Sequence, residues 1–209
     1  LLHSILKIMT TKTPATKKTS KAKTTSKSPA ASLDLPNNPL IFEILDLASK
    51  QRSKAKKVEV LQKYNHDALR MVLIWNFDES VKSVLPEGPV PYSGYADQTS
   101  HKGTLSTKIT EEVRRMYEAG SFSLGASDTD GKTTLRRECK HFYHFIKGGN
   151  NGLTSIRRET MFINLLEGLH PLEAEIVCLI KDKKLTDKYN VSKEIVAQAF
   201  PQIKWGGRS

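Results

Sequence analysis

The stretch TSIRRETMFINLLEGLHPLEAEIVCLIKDKKL, residues 154–185, indicates two helices joined by a tight corner. A side chain at Thr154 or Ser155 can accept a hydrogen bond from the backbone N–H groups that open the first helix. The apolar residues of this helix recur at the i, i+3, i+4 and i+7 spacing of a single helical face. They are Phe162, Leu165, Leu166 and Leu169.

Three residues shape the corner itself: Gly168, His170 and Pro171. Gly168 can end the first helix because glycine tolerates the left-handed conformation that a helix C-terminus often needs. Pro171 suits the first position of the second helix, where its missing N–H group costs nothing. We interpret His170 as a residue that serves the helix start by hydrogen bonding to backbone. The alternative is a general base.

The second helix should be the central helix of the fold. Acidic residues lie in its first turns and lysines in its last turn, which is the order that the helix dipole favours. Its apolar residues cover most of its circumference, so it should be buried on most sides. They are Leu172, Ala174, Ile176, Val177, Cys178, Leu179 and Ile180.

Hydrophobic periodicity along residues 33–209 predicts one all-α domain of about seven or eight short helices. A helix near residues 66–75 should be capped by Asn65 or Asp67. A continuous α-helix should follow residue 134, with an apolar stripe of Leu135, Cys139, Phe142 and Ile146. The segments 86–103 and 121–134 break all periodicity and should be loops. The first of them carries Tyr92 and Tyr95, which could stack on bases or pack on the surface.

The first 32 residues differ in composition from the rest of the chain. They hold seven lysines and no acidic residue, which leaves +4 of the chain's net charge of +11 for residues 33–209. Such a Lys-, Thr- and Ser-rich stretch has almost nothing to bury, and we expect a disordered basic arm. Residues 1–8 precede the first methionine and are interpreted as possible upstream translation.

Basic residues suggest contacts with DNA or RNA, because lysine and arginine neutralise phosphates. The alternatives are a solvated arm and arginines that bridge nearby glutamates, among them Glu111 and Glu138. The candidates form three sets, in the arm, in residues 50–57 and in three arginine pairs on successive helices. They are Lys17, Lys18, Lys21 and Lys23, then Arg52, Lys54, Lys56 and Lys57, then Arg114 and Arg115, Arg136 and Arg137, and Arg157 and Arg158.

Several kinds of chemistry lack a motif. The glycines before Lys132 and Thr133 are separated by five residues rather than the four of a phosphate-binding loop. A metal site could be imagined from Cys139, His141, His144, His170 and Cys178, but their spacing matches no closed zinc pattern. We therefore expect no metal, no cofactor and no enzymatic activity. No run reaches the roughly 18 apolar residues of a membrane-spanning helix, so a membrane partner is not expected. The two cysteines are interpreted as buried free thiols in a reducing compartment.

Three segments resemble a family of uncharacterised proteins of tailed bacteriophages, notably T4-like and other marine phages. They are LPEGPVPY at residues 85–92, RRETMFINLLEGLHPLEAEIVCLIKDKKL at residues 157–185 and AFP at residues 199–201. The resemblance covers about residues 40–201 and implies no known activity or catalytic residue. It implies a phage gene product that acts in the bacterial host cytoplasm or in the virion.

Two functions remain open at the level of sequence. The first is a non-enzymatic phage accessory protein that associates with nucleic acid through the arm and a basic surface. The second is a virion-associated or protein–protein interaction module, with phage or host proteins as partners, in which the basic residues confer solubility.

Overall fold

Helices form all the regular secondary structure of the described residues, as the sequence predicts. The computed structural model describes residues 34–91, 103–120 and 131–208, which lie in one unit, Leu33–Ser209. These ranges contain eight α-helices and two short 3-10 helices, Cys139–Phe145 and Leu185–Asp187. The α-helices are α1 (Ile41–Lys50), α2 (Lys54–Lys63), α3 (Asp67–Phe77), α4 (Leu105–Glu118), α5 (Leu135–Glu138), α6 (Ser155–Gly168), α7 (Pro171–Lys181) and α8 (Lys193–Ala199).

Helix α7 is the centre of the core, as its apolar sequence indicates. It packs against α1, α3, α4 and α6. Four of its side chains, Leu172, Ile176, Val177 and Ile180, have no exposed surface. Burial of each such side chain stabilises the fold by about 1.5–3 kcal/mol. The remaining helices therefore depend on α7 for much of their buried surface.

The corner between α6 and α7 is held by the segment that leads into α5. The Gly168 carbonyl oxygen accepts hydrogen bonds from the backbone N–H groups of Lys132 and Thr133, at 2.9 and 3.0 Å. The N–H group of Leu135, at the start of α5, donates to the carboxylate of Glu173 at 3.1 Å. Glu173 has no exposed surface. We call these three hydrogen bonds the corner clamp.

His170 and Pro171 begin α7 inside this corner. The Nδ1 atom of His170 accepts a hydrogen bond from the Leu172 N–H group at 3.1 Å. Its ring stacks on Phe42 of α1 with the ring centroids 4.9 Å apart, and only 2% of the residue is exposed. Pro171 occupies the first turn of α7. His170 is therefore a helix cap packed into the core.

Gly168 does not adopt the left-handed conformation that the sequence suggested. Helix α6 runs through Gly168, and the next residue, Leu169, is extended with φ −87°. The reason for glycine is instead the close approach of the clamp segment. A Cβ atom on Gly168 would lie 3.3 Å from the Thr133 Cγ2 atom, and one on Gly131 would lie 2.8 Å from the His170 nitrogen.

The continuous α-helix predicted after residue 134 was wrong beyond its first turn. After α5 the chain winds as a 3-10 helix, which has three residues per turn. Its buried residues are accordingly Cys139, Phe142 and Phe145, three apart, while Ile146 is only half-buried. Phe142 meets the Trp75 ring edge-on at 5.1 Å and Phe145 meets the Phe162 ring at 5.2 Å. Packing on these distant rings selects the tighter winding.

Replacing Gly131 with alanine should strain the corner. The new Cβ atom would lie 2.8 Å from the His170 nitrogen and 3.0 Å from the Thr133 oxygen, both backbone atoms. We expect Gly131→Ala to lower the free energy of unfolding by about 1–3 kcal/mol in urea denaturation. Gly152→Ala is the matched control, because its nearest contact would be a side-chain oxygen at 3.7 Å. Equal stabilities of the two variants would contradict the close-approach argument.

Candidate nucleic-acid interface

Residues 131–158 are a basic stretch of the folded unit, in addition to residues 50–57. The range 131–158 holds seven Lys or Arg residues and one acidic residue, Glu138, a net charge of +6. Residues 33–209 as a whole carry only +4, so the rest of that unit is slightly acidic. Local excess charge of this kind attracts polyanions such as nucleic acid.

The 3-10 helix Cys139–Phe145 presents aromatic and basic side chains to solvent. Its three-residue period buries one row and leaves Lys140 and Tyr143 exposed, with Tyr143 48% exposed. The Tyr143 ring lies on the His144 ring with centroids 3.9 Å apart, and His144 stacks on His141 at 6.0 Å. Burial, followed by the charges of His141 and Arg158, lowers the pKa of His144. An exposed ring among basic side chains is a platform on which bases can stack.

The start of α6 adjoins this 3-10 helix through Arg158. Its guanidinium donates to the carbonyl oxygens of His144 at 2.8 Å, Asn150 at 2.9 Å and Leu153 at 3.1 Å. Arg158 thus links the two elements, and most of its N–H groups are occupied, contrary to the prediction of a phosphate contact. Its neighbours Arg157 and Ile156 are exposed, Ile156 to 79%. We call the following set the Tyr143 surface: the exposed residues Lys140, Tyr143, Lys147 and Arg157 with the half-buried His141 and His144.

The three arginine pairs have contacts in three different neighbourhoods. Arg114 and Arg115 form ion pairs within α4, with Glu118 at 3.7 Å and Glu111 at 3.9 Å. Arg136 donates to the Pro39 carbonyl oxygen at 3.1 Å, and its neighbour Arg137 is exposed. The third pair lies at the Tyr143 surface. These contacts give no support to a single surface made of all three pairs.

The basic cluster of residues 50–57 is smaller at the surface than its sequence indicates. Arg52 and Lys56 are exposed, and Lys54 pairs with Glu194 at 2.9 Å. Lys57 is only 6% exposed, and its ammonium group donates to the Asn190 carbonyl oxygen at 2.5 Å. Its assignment to a phosphate-binding patch was therefore wrong. The arm candidates Lys17, Lys18, Lys21 and Lys23, like Tyr92 and Tyr95, lie outside the described residues.

A polar cleft of about 390 Å³ lies between residues 34–39, residues 63–66 and Arg136. Its walls are tied to one another: the Leu35 N–H group donates to the Tyr64 hydroxyl at 2.6 Å, and Lys63 pairs with Asp34. The bond from Arg136 to Pro39 fixes the third wall. We call this the Arg136 cleft.

His66 in this cleft caps α3, in place of the predicted Asn65 or Asp67. Its Nδ1 atom accepts from the Leu69 N–H group at 3.0 Å, while Asn65 and Asp67 bind Arg70. The buried Nε2 atom has no hydrogen-bond partner in the described part of the chain. Burial, then the charges of Arg136 and Arg70, lowers the pKa of His66 to about 4. The imidazole is therefore neutral near pH 7.

An apolar cavity of about 290 Å³ lies between the segment 85–91 and α6, lined by Val90 and Phe162 among others. Lys181 lies in its wall, where the ammonium group donates to the carbonyl oxygens of Pro86 at 2.7 Å and Gly88 at 3.1 Å and pairs with Asp182 at 2.6 Å. These three contacts make Lys181 a cross-link that holds residues 86–88 against the core.

The described ranges contain no group of three His, Cys, Asp or Glu side chains placed to hold a metal ion. None of the helices in these ranges is long and apolar enough to cross a membrane. Cys139 and Cys178 are both free thiols. Burial raises the pKa of both thiols, that of Cys178 to about 11, which makes them poor nucleophiles.

Tyr143 and the Arg136 cleft were not identified from the sequence. The signal for Tyr143 was present in CKHFYHF, where Cys139, Phe142 and Phe145 recur every three residues. That spacing fits a 3-10 helix and leaves Tyr143 in an exposed row. The cleft had no comparable signal, because it joins residue 136 to residues almost a hundred positions away.

His66 should destabilise the folded state in mild acid. Its folded pKa of about 4 lies below the ordinary value of 6.5, so the unfolded state binds more protons between these values. Stability should therefore be greatest above about pH 6.5 and fall as the pH approaches about 4. His66→Asn keeps an acceptor for the cap but removes the titration, so its melting temperature should change less with pH in circular dichroism melts.

His66→Ala removes both the cap and the titration, so near pH 7 it should be about 1 kcal/mol less stable than the wild type, with the weaker pH dependence expected of His66→Asn. A His66→Asn variant with the wild-type pH profile would refute the assignment of the acid sensitivity to His66.

A model of the DUF6433 family, a family of unknown function, matches residues 44–129 and 123–187 of the chain. No curated protein and no solved structure matches the chain. The matched residues cover more than half of the chain and include the corner and the Tyr143 surface. The chain therefore belongs to this family, which confirms the expected membership of an uncharacterised family.

Proposed function

We propose that this member of the DUF6433 family is a non-enzymatic accessory protein that associates with nucleic acid through the Tyr143 surface. The observation that carries the proposal is the exposed aromatic side chain of Tyr143 within a basic stretch of the folded unit, residues 131–158. Base stacking on an aromatic ring together with phosphate contacts from Lys and Arg is how many proteins bind single strands. The arm of residues 1–32 would add sequence-independent attraction.

The phage origin implied by the resemblance extends the proposal. An accessory protein of a tailed phage that acts in the host cytoplasm would meet DNA during replication and packaging, and RNA during transcription. No enzymatic step is needed for this role. Lys140, Lys147 and Arg157 would contact phosphates, and Tyr143 would contact a base.

Loss of charge from the Tyr143 surface should weaken binding and its salt dependence. The test uses the full chain and a labelled single-stranded oligonucleotide. Each lost phosphate contact reduces the magnitude of the slope of log K against log salt by about 0.7, so Lys140→Gln/Arg157→Gln should reduce it by about 1.4. The matched control is Lys184→Gln/Lys204→Gln, which removes two exposed lysines elsewhere. Fluorescence anisotropy across a salt series measures both. Equal slopes for the two double variants would refute the surface.

Removal of the Tyr143 ring should affect single strands selectively. Tyr143→Ala should weaken binding to single-stranded DNA by about 1–3 kcal/mol, whereas Tyr143→Phe retains the stacking ring and should bind nearly as well as wild type. Duplex binding should change little, because duplex bases are already stacked on one another. An equal loss for duplex and single strand would show that Tyr143 acts through folding or through phosphates.

The alternative is a protein–protein or virion-associated interaction module with a phage or host partner. Its supporting observation is Ile156, a large apolar side chain that is 79% exposed at the start of α6. Light scattering after size-exclusion chromatography decides whether the full chain self-associates. Oligomers that Ile156→Asp dissociates, in a protein that does not bind oligonucleotides, would establish this alternative.

A further inference from the structure

We propose that the Arg136 cleft is a binding site for a phosphate group, with the Arg136 guanidinium as its principal ligand. The cleft shares no residue with the Tyr143 surface, and the proposal does not require that surface to bind nucleic acid. Four features of the cleft support it: an arginine with available donors, a locally positive field, a suitable volume and walls that are held in place.

Arg136 is oriented by one contact and keeps the remainder of its hydrogen-bonding capacity. A guanidinium group has five N–H donors in a planar fork. One nitrogen, Nη2, donates to the Pro39 carbonyl oxygen at 3.1 Å, and this bond holds the group at the cleft. The residue is exposed, so the other N–H groups can face an incoming anion. An arginine oriented in this way suits the bidentate geometry of a phosphate.

Among the described residues, the charges around the cleft leave Arg136 without an acidic partner. Lys63 pairs with Asp34, the acidic residue that lines the cleft, and Arg70 pairs with Asp67 beside it. The field of the two arginines reaches His66, where it adds to burial in lowering the pKa. An anion next to Arg136 would offset this field. The imidazole signals of His66 are therefore an internal reporter of anion binding.

The size and construction of the cleft fit a phosphate ester. Its volume of about 390 Å³ falls in the range of small-molecule sites, roughly 300–1,000 Å³. Asn37 and Asn38 are exposed along one wall and supply neutral donors and acceptors. The bond from Leu35 to Tyr64 and the pair of Lys63 with Asp34 join that wall to the end of α2. A ligand would therefore enter a cleft that already exists.

Inorganic phosphate titrated into the full chain tests the site directly. We expect the His66 imidazole signals in NMR spectra to shift saturably in the wild type. Arg136→Gln should abolish the shift, and Arg136→Lys should retain it with about tenfold weaker affinity, because lysine binds phosphate only as a point charge. Arg137→Gln, the adjacent exposed arginine, should bind like the wild type.

Two results would overturn the proposal. The first is wild-type binding by Arg136→Gln in a variant whose circular dichroism spectrum shows a native fold. The second is an equal loss in Arg136→Gln and Arg137→Gln, which would indicate general attraction to positive charge. If Arg136→Gln does not fold, Arg136→Lys still tests the site. Its phosphate affinity should be intermediate, and loss of the contact with Pro39 alone would not produce such an intermediate affinity.

The source of the phosphate is separated by comparing a nucleoside monophosphate with 5′-phosphorylated and 5′-hydroxyl oligonucleotides. A preference for the phosphorylated oligonucleotide that disappears in Arg136→Gln assigns the cleft to a nucleic-acid end. Binding of the monophosphate alone assigns it to a small phosphate ester. Lys140→Gln/Arg157→Gln should leave phosphate binding in the cleft intact. The experiment therefore distinguishes a wrong proposal for the Tyr143 surface from a wrong proposal for the Arg136 cleft.

Discussion

The hydrogen bonds of the corner clamp are the constraint on which the rest of the structure depends. The bond between Leu135 and Glu173 is buried, where an unpaired group costs about 1–3 kcal/mol. Gly168, at the end of α6, accepts two of the clamp hydrogen bonds, and Glu173, in the first turn of α7, accepts the third. Each end of the corner is thereby fixed to the same short segment. Helix α7, against which four helices pack, starts in a defined direction as a result.

The clamp also determines where the candidate sites lie. The segment that donates its hydrogen bonds continues without a break into α5, which carries Arg136, and then into the 3-10 helix, which carries Tyr143. Arg158 closes this stretch by holding the carbonyl oxygens of His144, Asn150 and Leu153. Arg136 and Tyr143 are therefore carried by one piece of backbone that is anchored to the core at both ends. Exposed side chains on an anchored backbone lose less conformational freedom when a ligand binds.

Local signals predicted the helices well. The cap at Thr154 and the proline at the start of α7 depend on residues a few positions apart, and the structure has both. The errors arose where a distant partner decides the outcome. Phe145 is buried in place of Ile146 because Phe162 receives its ring, and the room for a side chain at Gly168 is limited by Thr133 rather than by the dihedral angles of Gly168. Neither partner is visible from the local pattern.

Distant partners also limited the prediction of function from the basic residues. Their count in the sequence predicted several phosphate-binding patches, but lysine and arginine also form internal cross-links through carbonyl oxygens. Lys57 reaches Asn190, and Arg158 uses most of its N–H groups on carbonyl oxygens, so each has less capacity left for a polyanion. The residues that remain differ in the physics of their contacts. Phosphate contacts of the lysine-rich arm would be purely ionic and would weaken steeply with salt, whereas the proposed stacking on Tyr143 and bidentate binding by Arg136 would depend on geometry and weaken less. The arm would therefore govern capture at low salt, and the two anchored sites would govern which ligand is retained as the salt concentration rises.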